Sequence, residues 1–262
     1  ADPKILDGKL ILEYKIEMEV WDEKWGKMEY KNQKNPKVTH RGQRKLLLSE
    51  ISFLACNNHL SNDVLYVGAA PGHHIKILAN LFPHKMFYLY DPRDFDKELY
   101  EFKNTKIFQQ FFTSKDAEQY SGCLFLSDIR TTGIDDKEDF EREVIDNLRL
   151  QREWCDIIHP RLACLKFRLP YLPEIKDYEY YSGVIHLQPW SKFLSNETRL
   201  WTDCKKLKKY VISDYEERMI YYNVKFRPAN DTDLENLIWQ QYLDMVGKNN
   251  DFTLEKLKNI RC

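Results

Sequence analysis

The sequence predicts an α/β fold with a mostly parallel central sheet, a late antiparallel part and helices on both faces. Three observations lead there. Between residues 64 and 167, short apolar runs alternate with stretches of helical periodicity. The run at residues 64–67 passes straight into Gly68-Ala69-Ala70-Pro71-Gly72 and then into an apolar helix. After residue 184 several strand-like runs follow one another closely.

Each element has its own signal. Residues 42–57 repeat Leu46, Leu47, Ile51 and Leu54 at helical spacing. Residues 64–67 form a buried strand, and residues 74–81 the helix after it. Residues 86–90 read as the second strand, ending at Asp91, and residues 106–112 as the third. Residues 123–126 read as the fourth, ending at Ser127-Asp128. Residues 137–158 form a long amphipathic helix whose apolar face is Phe140, Val144, Ile145, Leu148 and Trp154. Residues 162–167 are the next strand. Residues 184–187, 198–202, 211–213 and 220–226 are rich in β-branched and aromatic side chains and read as later strands. Residues 234–245 and 252–260 read as helices. With no repeat and no low-complexity linker, the simplest organisation is an N-terminal extension, residues 1–40, followed by one domain, residues 41–262.

Composition narrows the function classes. A chain of 262 residues with 43% hydrophobic and 14% aromatic residues is long and apolar enough for a substantial core. A formal net charge of −1 excludes a strongly basic nucleic-acid binder, so any RNA contact must come from local patches. No apolar run approaches the roughly 20 residues that span a bilayer, so no membrane partner is expected. The start carries no signal-peptide pattern, and Ala1-Asp2-Pro3 reads as a processed or added end. Six scattered cysteines without a CxxC pair indicate reduced thiols in an intracellular compartment. His73 and His74 lack an acidic or cysteine neighbour at ligand spacing, so no metal is expected.

The glycine-bearing turn is the first candidate site. In an open parallel sheet, ligands bind beyond the carboxyl ends of the strands. Gly68, Ala69, Ala70 and Gly72 occupy such an end, and their small side chains let the main chain approach a ligand. Asp91 ends the next strand, where a carboxylate can take a ribose diol. A nicotinamide dinucleotide would use the same devices. However, Pro71 removes an N–H that a pyrophosphate would want, and the spacing is not GxGxxG. S-adenosylmethionine, which has a ribose and an adenine but no phosphate, fits better. Arg93, Phe111 and Phe112 are placed to flank the adenine.

Charged residues in apolar contexts give the second candidate. Asp128 ends the strand Cys123-Leu124-Phe125-Leu126-Ser127. Lys166 lies inside Ala163-Cys164-Leu165-Lys166-Phe167, where an ammonium is costly unless paired. Glu197 stands at a strand start, and Lys45 near the start of the first helix. Taken singly, each has an ordinary reading as a snorkelling or solvated group. Together, two lysines and two acids suit attack by a poorly acidic sugar hydroxyl, because a neighbouring cation weakens a lysine's hold on its proton and a carboxylate strengthens it.

At these residues the chain resembles the RrmJ/FtsJ-like ribose 2′-O-methyltransferases, and within them the poxvirus-type cap-specific mRNA 2′-O-methyltransferase family. The matching segments are residues 42–50, 66–75, 126–130, 165–171, 197–200 and 215–216, in the family's order. The resemblance implies a Rossmann-like S-adenosylmethionine-dependent methyltransferase fold. It also implies an enzyme that methylates the 2′-hydroxyl of the first transcribed nucleotide of capped mRNA. It carries Lys45, Asp128, Lys166 and Glu197 over as a catalytic tetrad, with Lys166 activating the hydroxyl. Gln43, Tyr66, Gly68, Ala70, Pro71, Gly72, His74, Asp91, Arg93, Phe111, Phe112 and Asp128 fall at cofactor positions. Tyr171 matches a ring that stacks on the methylated guanine, Glu216 and Glu174 the carboxylates at its edge, and Tyr30 or Trp25 the second ring. Arg130, Arg168 and Arg199 join the RNA side. The family implies capped mRNA as partner, a viral poly(A) polymerase catalytic subunit as a further one, and the host cytoplasm or viral factory, with packaging in the virion, as location. Methylation of ribosomal or other RNA, and a non-catalytic processivity role, are the competing functions. Lys205, Lys206, Lys208 and Lys209, with Lys24, Lys27, Lys31, Lys34 and Lys37, are candidates to track an RNA backbone.

Overall fold

The computed structural model describes residues 39–130, 137–193, 195–248 and 250–262. It divides into two compact units. One comprises Asn57–Gly183 and Leu200–Ile212; the other comprises the described residues up to Cys56, Val184–Arg199 and Ser213–Cys262.

The first unit carries the parallel sheet. Its elements are β1 (Asp63–Val67), α2 (Ile75–Leu81), β2 (Met86–Tyr90), a 3₁₀ turn (Lys97–Glu101), β3 (Thr105–Phe108), α3 (Ser114–Ala117), β4 (Leu124–Ser127), α4 (Lys137–Ile158) and β5 (Leu162–Phe167). β6 (Asp177–Tyr181) and β9 (Leu207–Val211) also belong to it. With β7 (Val184–His186) and β8 (Thr198–Thr202) included, the strand order is β3-β2-β1-β4-β5-β8-β7. The pairs β3-β2, β2-β1, β1-β4 and β4-β5 are all parallel. Parallel strands are covered on both faces and so read as unbroken apolar runs. Leu65, Phe87, Leu89, Phe125 and Leu165 are fully buried accordingly. β1 lies between β2 and β4, so the chain order reverses beside it, and the carboxyl ends of these three strands frame a crevice.

β6 and β9 form a separate antiparallel ribbon. Charged residues hide two strands in the sequence, β6 and residues 207–210 of β9. Asp177 and Glu179 face solvent, while Tyr180 stacks on Phe167 with ring centroids 5.9 Å apart, and Tyr210 of β9 approaches the same ring at 5.0 Å. In α4 the buried stripe is Leu148, Trp154, Cys155 and Ile158; Phe140, expected on it, is 42% exposed. β3 stops at Phe108, short of the expected 112, because the Gln110 N–H folds back onto the Phe108 carbonyl at 2.9 Å.

The second unit is mostly helical: α1 (Gly42–Cys56), α5 (Ile212–Tyr221), a π-helical turn (Tyr222–Phe226), α6 (Arg227–Val246) and α7 (Leu254–Lys258). α1 packs on α6, tied by the Arg44–Glu235 ion pair and by the Ser52 hydroxyl donating to Gln241 at 2.7 Å. Residues 220–226 are therefore not a strand, and residues 211–213 are where β9 gives way to α5. The aromatic and β-branched composition imitated a strand, but Tyr215, Met219, Tyr222 and Phe226 are all buried at helical intervals. Packing overrode the local preference.

All six cysteines are free thiols. Among the described residues no helix is long and apolar enough to cross a membrane.

Candidate active site

The glycine turn is braced between the ends of β2 and β4. The Gly68 and Ala69 N–H groups both donate to the Tyr90 carbonyl, at 2.9 and 3.2 Å, and the Asp128 N–H donates to the Val67 carbonyl at 2.9 Å. Gly68 has φ +83°, and a Cβ there would lie 2.6 Å from the carbonyl carbon and oxygen of Asp128. Gly72 has φ +74°, and its Cβ would lie 2.8 Å from Leu99 Cδ1. Both positions need glycine for conformation and for space. The Gly72 carbonyl then accepts from the Ile75 N–H at 2.9 Å and opens α2.

Asp91 closes the crevice from the β2 side. Its buried carboxylate accepts from the Ala70 N–H at 3.2 Å and from Arg93 Nε and Nη2 at 2.9 and 2.8 Å. Arg93 Nη2 also donates to the Ala70 carbonyl at 2.9 Å. The hydrogen bonds to Asp91 push the Arg93 guanidinium further toward its charged form. Tyr66 and His74 are both buried, with ring centroids 6.3 Å apart. The two candidate adenine neighbours differ sharply. Phe111 is 72% exposed, whereas Phe112 is packed edge-on to Tyr90 and Trp154, at 4.8 and 5.1 Å.

Across the crevice, β4 and β5 place Ser127 beside Leu165. Asp128 and Lys166 follow one residue on, and they meet: Lys166 Nζ lies 3.2 Å from Asp128 Oδ1 and donates to the Ile129 carbonyl at 3.2 Å. The Lys166 carbonyl accepts from Gln151 of α4 at 2.9 Å. Further along, Arg168 makes a two-pronged bond to Glu141, both distances 2.7 Å, and Glu141 Oε2 also accepts from the Tyr171 N–H at 2.8 Å. The Arg168 guanidinium lies over the Tyr171 ring at 5.0 Å. Arg130 and Glu174 are exposed.

In the second unit, Lys45 and Glu197 form a pair. Lys45 Nζ donates to Glu197 Oε1 at 3.0 Å, and Arg199 Nη1 donates to the same oxygen at 3.0 Å. The three side chains are nearly buried, at 10%, 13% and 4% exposure, so the charges are weakly screened. The main chain before Glu197 is tied down by the Tyr215 hydroxyl, which donates to the Asn196 carbonyl at 2.6 Å. Glu216 and Gln43 are half-buried on α5 and α1. Burial and the neighbouring cations Lys192, Lys45 and Arg227 lower the His40 pKa.

The four charged residues singled out in the sequence thus form two ion pairs, Asp128–Lys166 in one unit and Lys45–Glu197 in the other. Tyr30 and Trp25 lie outside the described residues. Glu141 escaped notice, although it stands seven residues before Leu148 on the apolar stripe of α4, where a carboxylate is out of place. Arg199 as a holder of Glu197 was equally unsuspected. Among the described residues no group of three or more His, Cys, Asp or Glu side chains is arranged to hold a metal ion.

The family described as Poly A polymerase regulatory subunit matches residues 14–261. The cap-specific mRNA (nucleoside-2′-O-)-methyltransferase of Fowlpox virus (strain NVSL) is 31% identical over 222 residues, 74% of this chain and 70% of that protein. Its namesake from Myxoma virus (strain Lausanne) is 29% identical over 269 residues, 92% of this chain and 79% of that protein. Among solved structures, bluetongue virus VP4, described as a multifunctional RNA-capping production line, aligns with a TM-score of 0.57 at 15% identity. That alignment covers 83% of this chain and 36% of VP4. The likeness to VP4 is one of fold and agrees with the seven-stranded, mostly parallel sheet. The family match spans the glycine turn and both ion pairs, and the chain belongs to the Poly A polymerase regulatory subunit family.

Proposed function

We propose that this chain is a cap-dependent mRNA ribose 2′-O-methyltransferase, transferring a methyl group from S-adenosylmethionine to the first transcribed nucleotide. The observation that carries the reading is the Asp128–Lys166 pair standing next to the glycine turn, at the carboxyl ends of β4 and β1. The viral relatives named as cap-specific mRNA methyltransferases support it.

The residues of the crevice fit S-adenosylmethionine. Gly68 and Gly72 hold the turn tight against Asp128 and Leu99, and a turn of small residues puts little side chain between its main chain and a ligand. Asp91 offers carboxylate oxygens to a ribose diol, and Arg93, which holds them here, is exposed enough to turn aside. Pro71 has no N–H for a pyrophosphate. Gly68, Ala70, Gly72, His74, Tyr66, Asp91, Arg93 and Phe111 would form the holding set, with Gln43 as an additional contact. When bound, the cofactor supplies an electrophilic sulfonium methyl.

The chain's part is to present the hydroxyl oxygen to that methyl. Lys166 does so: Asp128 and the Ile129 carbonyl fix the direction of its Nζ, and the amine orients the hydroxyl lone pair. By the family resemblance Lys45 and Glu197, themselves an ion pair, are the other two members of the tetrad, and Arg199 steadies Glu197. Tyr171 stacks on the cationic 7-methylguanine of the cap. Glu216 and Glu174 accept from its edge. Residues 1–40, with Tyr30 or Trp25, supply the second ring. Arg130 and the exposed Lys205, Lys206 and Lys209 serve the RNA backbone. The site of action is the cytoplasm of the infected cell.

The test is methyl transfer from labelled cofactor to capped and uncapped RNA by the wild type, Lys166→Ala and Tyr171→Ala. Lys166→Ala should lose transfer by about a hundredfold or more. Tyr171→Ala should lose the preference for capped RNA. Full activity of Lys166→Ala sinks the mechanism. Equal methylation of both RNAs by the wild type favours a ribosomal or other RNA substrate. The family description also supports a second role, as partner of a poly(A) polymerase catalytic subunit; a pull-down with that subunit tests it.

A further inference from the structure

Glu141 belongs to none of the motifs that mark the site. It is nevertheless almost fully buried, at 3% exposure, and every hydrogen bond recorded for it goes to one short segment. Its two oxygens take both prongs of the Arg168 guanidinium at 2.7 Å, and Oε2 also takes the Tyr171 N–H at 2.8 Å. The guanidinium in turn lies 5.0 Å over the Tyr171 ring and 5.0 Å over the Phe140 ring. Arg168 and Tyr171, on the segment after β5, and Phe140 and Glu141 on α4 thus form one assembly, in which a carboxylate, a guanidinium and a tyrosine ring touch in series.

We propose that Glu141 is a positioning and charge-compensating residue that lets Tyr171 accept a cationic base. The proposal rests on the reading of Tyr171 as the cap-stacking ring. A 7-methylguanine carries a positive charge and is drawn to an electron-rich ring. A bare guanidinium over the same ring opposes that attraction, because two like charges within stacking distance in a weakly screened place repel. The two-pronged carboxylate cancels the Arg168 charge. It also fixes the Tyr171 main chain, and so the plane of the ring. Packing alone would be served by an uncharged side chain of the same shape. A buried carboxylate is justified by the charge it neutralises.

The two contributions separate in an experiment. Glu141→Gln keeps the shape and an oxygen for the Tyr171 N–H but takes the negative charge away from the guanidinium's two-pronged partner. Binding of 7-methyl-GTP and of GTP to the whole chain is measured by tryptophan fluorescence or calorimetry, for the wild type, Glu141→Gln, Tyr171→Ala and the double variant Glu141→Gln/Arg168→Gln. Expected is a loss of about five- to tenfold for 7-methyl-GTP in Glu141→Gln with GTP nearly unchanged. The double variant, again neutral, should recover most of it. An equal loss for both ligands, or no recovery in the double variant, overturns the charge-compensation role while leaving Tyr171 as the ring. A wild type that binds both ligands equally, or Tyr171→Ala that binds 7-methyl-GTP as the wild type does, overturns the cap reading and this inference with it.

Discussion

Gly68 and Asp128 touch through their main chains. The Cβ that Gly68 lacks would lie 2.6 Å from the Asp128 carbonyl, and Gly68 already sits at φ +83°. Any side chain there forces β1's turn away from the end of β4 and carries the Asp128–Lys166 pair with it. Gly68→Ala should lower stability by about 1–3 kcal/mol and abolish methyl transfer. Thermal unfolding and a transfer assay check this. A stable, active Gly68→Ala protein would show that the two strand ends are not as tightly joined as the geometry requires.

Glu197 offers one oxygen to two cations, Lys45 and Arg199. Arg199→Gln removes one of them and leaves Glu197 with less reason to hold its orientation. The rate of methyl transfer should fall about tenfold or more, chiefly in kcat, with cofactor affinity little changed. Arg199→Lys should recover part of the loss. An unchanged kcat in Arg199→Gln removes Arg199 from the machinery.

Lys85 predicts a pH dependence far from the crevice. It precedes β2, at the amino end of the sheet, where its Nζ donates to the Asn58 and Ser61 carbonyls at 3.0 and 2.7 Å. Burial pulls its pKa down to about 8, below the roughly 10.4 of an unfolded lysine. Between these values the unfolded chain binds more protons than the folded one, so stability rises with pH. Below pH 8 the buried ammonium exerts its full cost; above about 10.4 neither state carries it. Denaturant unfolding across this window should show the rise in the wild type and not in Lys85→Met. Methyl transfer should be the same in both at pH 7.

Asp96 works in the opposite sense. Lys76 and His73 hold its carboxyl down at about 2, below the roughly 3.9 of a free aspartate. Its stabilisation is present above the unfolded value and is lost as pH falls through the folded one. Asp96 caps the 3₁₀ turn whose Leu99 abuts Gly72. Asp96→Asn should keep that cap, be less stable than the wild type near neutrality, and lack the wild type's loss of stability from pH 4 to 2. Parallel slopes for both proteins in that range count against the ion pair.

How much of this was legible in the sequence follows from which residues act locally. The glycine turn, the strand before it and the acids at strand ends are local signals, and they stand where the sequence reading puts them. That Asp128 and Lys166 touch is a fact of register. It needs β4 and β5 to be neighbours, parallel, with Ser127 beside Leu165, and nothing within either strand states that. α5 and the π-helical turn were misread because Ile220, Tyr221, Tyr222, Val224 and Phe226 have strand-like side chains, while their burial follows a helix packed in the second unit. β6 was missed because its outward face is Asp177 and Glu179, which read as loop. Glu141 lies in register with the apolar stripe of α4, but its chain neighbours Asp139, Arg142 and Glu143 give it the look of a solvated acid.

The Tyr90 carbonyl accepts two N–H groups of the glycine turn, and the next residue, Asp91, accepts a third from Ala70. The turn and the end of β2 are therefore fastened before any ligand arrives, by two main-chain bonds to Tyr90 and one to the Asp91 carboxylate. The ordering entropy of the crevice floor has been met during folding and need not be met again on binding. Such a floor gives arriving ligands a single encounter step without a slow rearrangement behind it. Among the described residues of the crevice, the exposed Arg93 side chain is a group placed to shift when a ligand reaches Asp91.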